Sequence, residues 1–467
     1  MEIKKDDIFS VSIEDLSTDG SGIGRIDGYT VFVKDALPGD MAEIKIIKAK
    51  KTYGYGRLLK ILTPSPDRTQ PFCPVARSCG GCQIQALSYP AQLKYKENKV
   101  RELLSRIGKI TDYIMLPIIG MDDPWFYRNK AQYPVGTDRQ GCLIAGFYAG
   151  RTHSIIPVGN CCIQSKHTEN VLPAVLQWMD DNHIPAYDEK SGHGLVRHIL
   201  TRAGFHTGEI MVCLVINGKK LPAADSLISR LAKIPGMTSI SYSVNTARNN
   251  VILGDNAQTI WGRPYISDSI GDISFRISPL SFYQVNPVQT EKLYATALAF
   301  ADPGPEDVIW DLYCGIGTIS LFMAKKAARV CGVEIIPQAI DNARENASLN
   351  SIDNAEFFVG KAEEVLPAAY KEKNIHADII VVDPPRKGCD QSLLDCIITM
   401  QPRKVVYVSC DPATLARDLR ILEDGGFKVE KVQCADMFPH SVHVESVCLL
   451  TKKAEVETFT ICKEQLK

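Results

Sequence analysis

No stretch of the chain approaches the roughly 18 consecutive apolar residues of a membrane span. The two early lysines, Lys4 and Lys5, are not followed by the apolar core of a secretory signal. These two absences predict a cytoplasmic protein with no membrane partner. Excess charge is missing too: 53 Lys and Arg face 54 Asp and Glu, a net charge of −1. That excludes a protein held on nucleic acid by overall electrostatics, so any such binding must use a local positive patch. A cytoplasmic chain also calls for a reading of its 15 cysteines other than disulfides, and an odd count rules out complete pairing. The C-x3-C-x2-C set of radical enzymes is absent. So is a complete G-x-G-x-x-G, because the glycines at 315 and 317 are followed by Ser320, and a pyrophosphate-binding loop is disfavoured.

What remains is an ordinary globular composition, 45% hydrophobic and 23% charged over 467 residues. At about 150 residues per domain, roughly three domains are expected. Residues 1–62 read as a small β-barrel. Val31 and Val33 alternate with Phe32 and Lys34, residues 43–46 alternate again, and Gly20, Gly22, Gly24 and Gly28 mark turns. The segment carries the missing positive patch as Lys45, Lys48, Lys50, Lys51, Arg57 and Lys60, interleaved with Tyr53 and Tyr55. Such a strand face suits RNA, although the same lysines would equally suit a solvated sheet. After a Pro-rich linker, residues 63–270 form a mixed central region. It opens with Cys73, Cys79 and Cys82, then shows a helical repeat over 91–108. Cys142, Cys213, Cys331, Cys396 and Cys448 sit among apolar neighbours and read as core residues.

From residue 271 to 467 the pattern changes. Asn286 and Pro287 form an N-cap and first helical position. Short apolar runs at 308–312, 329–333, 379–382 and 405–408 alternate with helical segments, predicting an α/β doubly wound, Rossmann-like parallel sheet. Runs at 427–432 and 444–450 lack a helix between them and predict a closing antiparallel pair.

Ligands of such sheets bind past the carboxyl ends of the strands. There lie Asp311-Leu-Tyr-Cys-Gly-Ile-Gly317, then Glu334 at the next strand end, then Asp383-Pro-Pro. An acid at position 334 suits the two hydroxyls of a ribose. Together these features suit a nucleoside without phosphates, as S-adenosylmethionine is. Gln284, just before the capped helix, offers an amide donor and acceptor.

Cys410 stands apart from the other cysteines. It ends the apolar strand 405–408, and Asp411-Pro412 opens a helix immediately after it. A thiol beside a helix N-terminus is expected to have a lowered pKa and act as a thiolate. Adding a thiolate to carbon 6 of uracil turns carbon 5 into an enolate carbon able to attack a sulfonium methyl group. A base must then remove the carbon-5 proton. Glu445, in an apolar run where a carboxyl should have a raised pKa, is the candidate; a salt-bridged strand residue is the plainer alternative.

These motifs bring a family into view. Phe282-Tyr-Gln-Val-Asn286, Asp311-Leu-Tyr-Cys-Gly315, Asp383-Pro-Pro-Arg386, Val408-Ser-Cys-Asp-Pro412 and His443-Val-Glu445 resemble the RNA uracil-5-methyltransferases. The likeness is to the 23S ribosomal RNA type, with an N-terminal TRAM domain and a 4Fe-4S cluster, and covers nearly the whole chain. The resemblance implies Cys410 as nucleophile and Glu445 as proton-abstracting base. Gln284, Tyr313, Glu334 and Asp383 would line the pocket for S-adenosylmethionine and the target base. It also implies Cys73, Cys79 and Cys82 with Cys161 as cluster ligands, Cys162 being the adjacent alternative. Thiolate-only ligands suit iron–sulfur or, as runner-up, zinc. Tyr127-Arg-Asn-Lys130 also matches the family; Arg128 and Lys130 suit phosphate contacts or, equally, an interdomain salt bridge.

The expected partner is RNA, with 23S rRNA favoured over transfer RNA, and the expected state is a monomer. The rivals are a transfer RNA uracil-5-methyltransferase, an RNA cytosine-5-methyltransferase, and a non-catalytic RNA-binding or ribosome assembly factor. A cytosine enzyme would carry Pro before the nucleophile, where this chain has Ser409.

Overall fold

The computed structural model describes residues 3–373 and 376–453. The end of the expected 271–467 unit, from 454 onward, lies outside the described residues. At the N-terminus five strands, Ile8–Leu16, Gly22–Ile26, Tyr29–Val33, Met41–Ala49 and Tyr53–Thr63, close into a barrel. Alternation drives closure: Val11, Ile13, Val31, Val33, Ala42, Ile44 and Ile46 point inward and are buried. Phe32, Tyr53 and Tyr55 point outward and touch each other with ring centroids 5.8–5.9 Å apart.

The central region, whose fold periodicity does not reveal, holds a seven-stranded sheet. The strand-like run Ile210–Ile216 is one of its inner strands; it and Val196–Ala203 are buried throughout, which erases the two-residue alternation that marks a strand. Not all of residues 63–270 belongs to this sheet. The helix Tyr89–Leu103 and strand Ile114–Ile119 pack with the C-terminal unit, and the strand pairs in parallel with Phe427–Ala435. Of the cysteines read as core, Cys142 is exposed.

The C-terminal sheet has eight strands, in the spatial order 355–359, 329–334, 308–312, 379–382, 404–409, 445–452, 427–435 and 114–119. The first five are parallel. Strand order reverses at Val308–Leu312, which has Arg329–Glu334 on one side and Ile379–Val382 on the other. A crevice opens at such a switch point. The helix Pro287–Ala301 starts where its cap predicts, with the Asn286 side chain accepting from the Gln289 amide at 3.2 Å. The expected antiparallel pair is Phe427–Ala435 with Glu445–Lys452. Strand Ala355–Val359 and helices Ala362–Lys373 and Gln391–Met400 go unforeseen. The strand lies at the sheet's edge and buries little, and the first helix contains Pro367. Among the described residues, no helix is long and apolar enough to cross a membrane.

Candidate active site

Past the end of strand Val308–Leu312 the chain turns sharply, with Tyr313, Gly315 and Gly317 all at positive φ (70°, 56° and 82°). Amides of Tyr313 and Cys314 donate to the Val333 carbonyl, tying the turn to the next strand. At that strand's end the Glu334 carboxylate accepts from the Gly315 amide at 3.3 Å and the Ile336 amide at 3.0 Å. These bonds hold the acid at the rim with acceptor capacity to spare. A Cβ placed on Gly315 would meet no protein atom within 4 Å, so this side of the turn is open to a ligand. Ser320, which stands where a third glycine would, donates its hydroxyl to the buried Asp311. Burial pushes the Asp311 carboxyl up to about 7. Asp383 follows strand Ile379–Val382, and burial pushes it up to about 6.

Gln284, only 8% exposed, is held from the central region: Asn129 Nδ2 donates to the Gln284 carbonyl at 2.9 Å, and the Asn129 amide donates to Val285. Gln284, Tyr313, Glu334, Asp383, Cys410 and Glu445 line one cleft of about 750 Å³.

The antiparallel register places Cys410. Ser409 pairs with Ser446. One step further along the same register, position 410 faces position 445, and opposed residues share a face. Glu445, 5% exposed, therefore stands across from Cys410 at the mouth of the sheet. Burial first, then Asp383, pushes the Glu445 carboxyl up to about 8, with Arg386 opposing.

A second cavity, of about 390 Å³, is lined by Cys73, Cys79, Cys82, Cys161 and Cys162. It shares Arg128, Arg386, Phe438 and His443 with the cleft. Burial raises the Cys82 thiol, and the neighbouring Cys161, Cys79 and Cys73 raise it further. Burial, then Cys73 and Cys161, raise the Cys162 thiol as well. Among the described residues, no group of three or more His, Cys, Asp or Glu side chains stands at metal-ligand geometry.

Comparison with known proteins bears on the cleft. A profile of the family tRNA (uracil-5-)-methyltransferase matches residues 265–453, and a TRAM domain profile matches 7–59. An uncharacterised RNA methyltransferase of Halalkalibacterium halodurans is 52% identical, covering 97% of this chain and 98% of its own. One from Clostridium tetani is 46% identical, covering 96% and 97%. The chain belongs to the RNA methyltransferases of the uracil-5 family. A crystal structure of the Pyrococcus abyssi tRNA (uracil-54, C5)-methyltransferase with S-adenosyl-L-homocysteine superposes with a TM-score of 0.75 at 26% identity. It covers 95% of this chain and 100% of that one. The methyltransferase is thus an S-adenosylmethionine-dependent enzyme that acts on RNA.

One expectation about Cys410 reverses. The Cys410 thiol is not lowered but pushed up to about 12, by burial and then by the negative Glu445 and Asp383. The helix N-terminus does not rescue it, because the Asp411 carboxylate already accepts from the amides of Ala413 (2.9 Å) and Thr414 (3.1 Å). The capping residue consumes the donors that would have favoured a thiolate.

Sequence reasoning gave Arg386 no role beyond its motif. It is the cation that lowers both the Cys410 and the Glu445 pKa. A basic residue three positions after the strand-end acid was the available signal. Arg386→Ala is expected to move the rising limb of the kcat/KM–pH profile to higher pH. It is also expected to slow alkylation of Cys410 by iodoacetamide at pH 8 by up to about tenfold, the effect of one pKa unit. The sign follows from raised groups: both keep their protons at pH 7, and losing the cation makes ionisation harder still. An unshifted limb would remove Arg386 from this role.

Proposed function

We propose that the enzyme methylates carbon 5 of a uridine in 23S rRNA, with Cys410 adding to carbon 6 and Glu445 removing the carbon-5 proton. The observation that carries this reading is the opposed placement of Cys410 and Glu445 beside the cofactor cleft. S-adenosylmethionine would supply an electrophilic methyl group there, with Glu334 as acceptor for its ribose hydroxyls and Gln284, Tyr313 and Asp383 around it. Cys410 gives its proton up to solvent as its sulfur bonds to carbon 6, and negative charge passes to the uracil enolate. After carbon 5 is methylated, Glu445 takes the carbon-5 proton, the carbon 5–carbon 6 double bond reforms, and the sulfur departs. Glu445 accepts the proton in its ionised form, and with its carboxyl at about 8 that form grows as pH rises toward 8, so turnover should rise with pH over that range. A flipped base is expected, because side chains cannot reach the carbon-5/carbon-6 edge of a base stacked in a duplex.

The substrate assignment rests on the likeness to the ribosomal type in the barrel and the cysteine set. The barrel's outward aromatic trio and the exposed Lys48, Lys50, Lys51, Arg57 and Lys60 suit a single-stranded RNA segment. Lys45 is instead occupied with Asp6 at 3.0 Å. Transfer RNA is the second reading, favoured by the full-length likeness to the Pyrococcus abyssi enzyme. Incubating both RNAs with labelled cofactor and mapping 5-methyluridine by mass spectrometry decides between them. Product in 23S rRNA alone is expected. Product in transfer RNA alone contradicts the assignment, and product in neither favours a non-catalytic binding factor. We take the enzyme to act as a monomer in a division of labour among 1–62 (RNA-binding barrel), 63–270 (central region) and 271–467 (catalysis).

The cysteine cavity, of about 390 Å³, offers the thiol donors a 4Fe-4S cluster takes, and its lining also holds Tyr127, Arg128, Arg386 and His443. Cys73, Cys79, Cys82 and Cys161 would hold it. Of the adjacent pair, Cys161 is the one whose charge raises the Cys82 thiol. An anaerobic preparation is expected to be brown and to contain iron, and Cys82→Ser to lose both. A colourless protein with stoichiometric zinc would overturn this assignment.

A further inference from the structure

The segment 436–444 joins the last two strands of the catalytic sheet and delivers Glu445 as the first residue of its strand. It is fastened from four directions. Helix Tyr89–Leu103 presents Gln92, Lys96 and Lys99, spaced four and three apart and so on one face. Gln92 Oε1 accepts from the His440 amide at 2.9 Å. Lys96 Nζ donates to the Asp436 carboxylate at 2.5 Å and to the Phe438 carbonyl at 2.9 Å. Lys99 Nζ donates to the Val442 carbonyl at 3.0 Å. From the cysteine loop, the amides of Gln83 and Ile84 both donate to the His440 carbonyl, at 3.0 and 3.1 Å. From helix Pro287–Ala301 and its cap, Gln289 and Asn286 donate to the carbonyls of Asp436 and Met437. From the central region, the Tyr127 hydroxyl donates to the Pro439 carbonyl at 3.0 Å.

The Lys96–Asp436 pair is fully buried on both sides. A buried ion pair is a poor source of stability, because desolvation offsets the attraction. What it does is define one arrangement, since any movement of the segment leaves a charge unpaired in the interior. The segment it locks also lines both cavities, through Phe438 and His443.

We propose that Lys96 is a positioning residue for Glu445: through Asp436 and Phe438 it holds segment 436–444, docked on the cysteine loop, so that Glu445 meets carbon 5 of the target. This rests on the reading of Cys410 as nucleophile and Glu445 as base. A displaced Glu445 impairs only the step that uses it. Adduct formation by Cys410, on the neighbouring strand, proceeds, while proton removal and release are delayed.

Lys96→Met alone strands the Asp436 charge, so the test uses the charge-free pair Lys96→Met with Asp436→Asn. Lys99→Met, outside the ion pair, is the second variant. Each is mixed in single turnover with uridine RNA and cofactor, and the covalent complex is followed on denaturing gels. Adduct formation is expected within about threefold of the parent, while release slows about tenfold or more for the double variant, a change of ~1.4 kcal/mol in barrier. Lys99→Met should show the same pattern more weakly, and amide exchange over 436–445 should quicken in both. Formation and release slowing in proportion would mean a merely structural pair and overturn the inference, as would unchanged release. If the parent enzyme forms no adduct with 5-fluorouridine RNA, the reading beneath it fails first; if it does and release is unaltered, only Lys96 loses its role.

Discussion

Replacing Glu445 with glutamine is expected to leave the enzyme attached to its product. The methyl group is transferred, the carbon-5 proton stays, and the sulfur cannot leave. Turnover should fall by about 10²–10⁴-fold, the span that general bases contribute, and one RNA per enzyme should remain covalently bound on a denaturing gel. The substitution is well suited to the site. Glu445 is buried, and its carboxyl holds a proton up to about pH 8. An amide therefore replaces a group that is mostly neutral in the resting enzyme, and strands no partner charge. Loss of activity without loss of the melting transition is the expected pair of results. Free product released at the parent rate would show that another group takes the proton.

Cys410→Ala has the second large effect. Methylation should fall by at least about 10⁴-fold, on the scale of losing a covalent step, and no adduct should form with any RNA. Cofactor affinity should change by less than about threefold, because the acceptors assigned to the cofactor, Glu334 and Gln284, lie on other elements and a threefold change is only ~0.65 kcal/mol. The resting thiol sits at about 12, so the free enzyme carries almost no thiolate at neutral pH. Reactivity must arise when the target base enters and its enolate charge replaces the charge on sulfur. Cys410 in the free enzyme should accordingly alkylate slowly at pH 7, and faster as pH rises.

Much of this was legible before the fold was known, and the reasons differ by residue. The sheet could be read because its strands are short, apolar and separated by capped helices. Asn286 and Asp411 announce helix starts by residue type alone. Position 410 could be read because a strand end and a helix start meet there. The sign of its pKa could not, because the capping carboxylate of Asp411 and the acids at 383 and 445 outweigh the dipole only once they are brought together. The role of helix Tyr89–Leu103 was illegible for a related reason. Its helical repeat is plain, but nothing local says that Gln92, Lys96 and Lys99 meet a segment more than 330 residues later. Of the central sheet the run Ile210–Ile216 could be read as strand-like, but its fold could not, because strands buried on both faces such as Val196–Ala203 lose their alternation.

The central claim is covalent catalysis by Cys410 on uracil, and one measurement addresses it most directly. RNA carrying 5-fluorouridine is incubated with enzyme and S-adenosylmethionine, the complex is denatured and digested, and the modified peptide is sequenced by mass spectrometry. Fluorine cannot leave carbon 5 as a proton does, so the account predicts a stable complex of methylated fluorouridine on Cys410, formed by the parent and by Glu445→Gln alike and absent from Cys410→Ala. No complex with the parent enzyme, or one that survives Cys410→Ala, would contradict it.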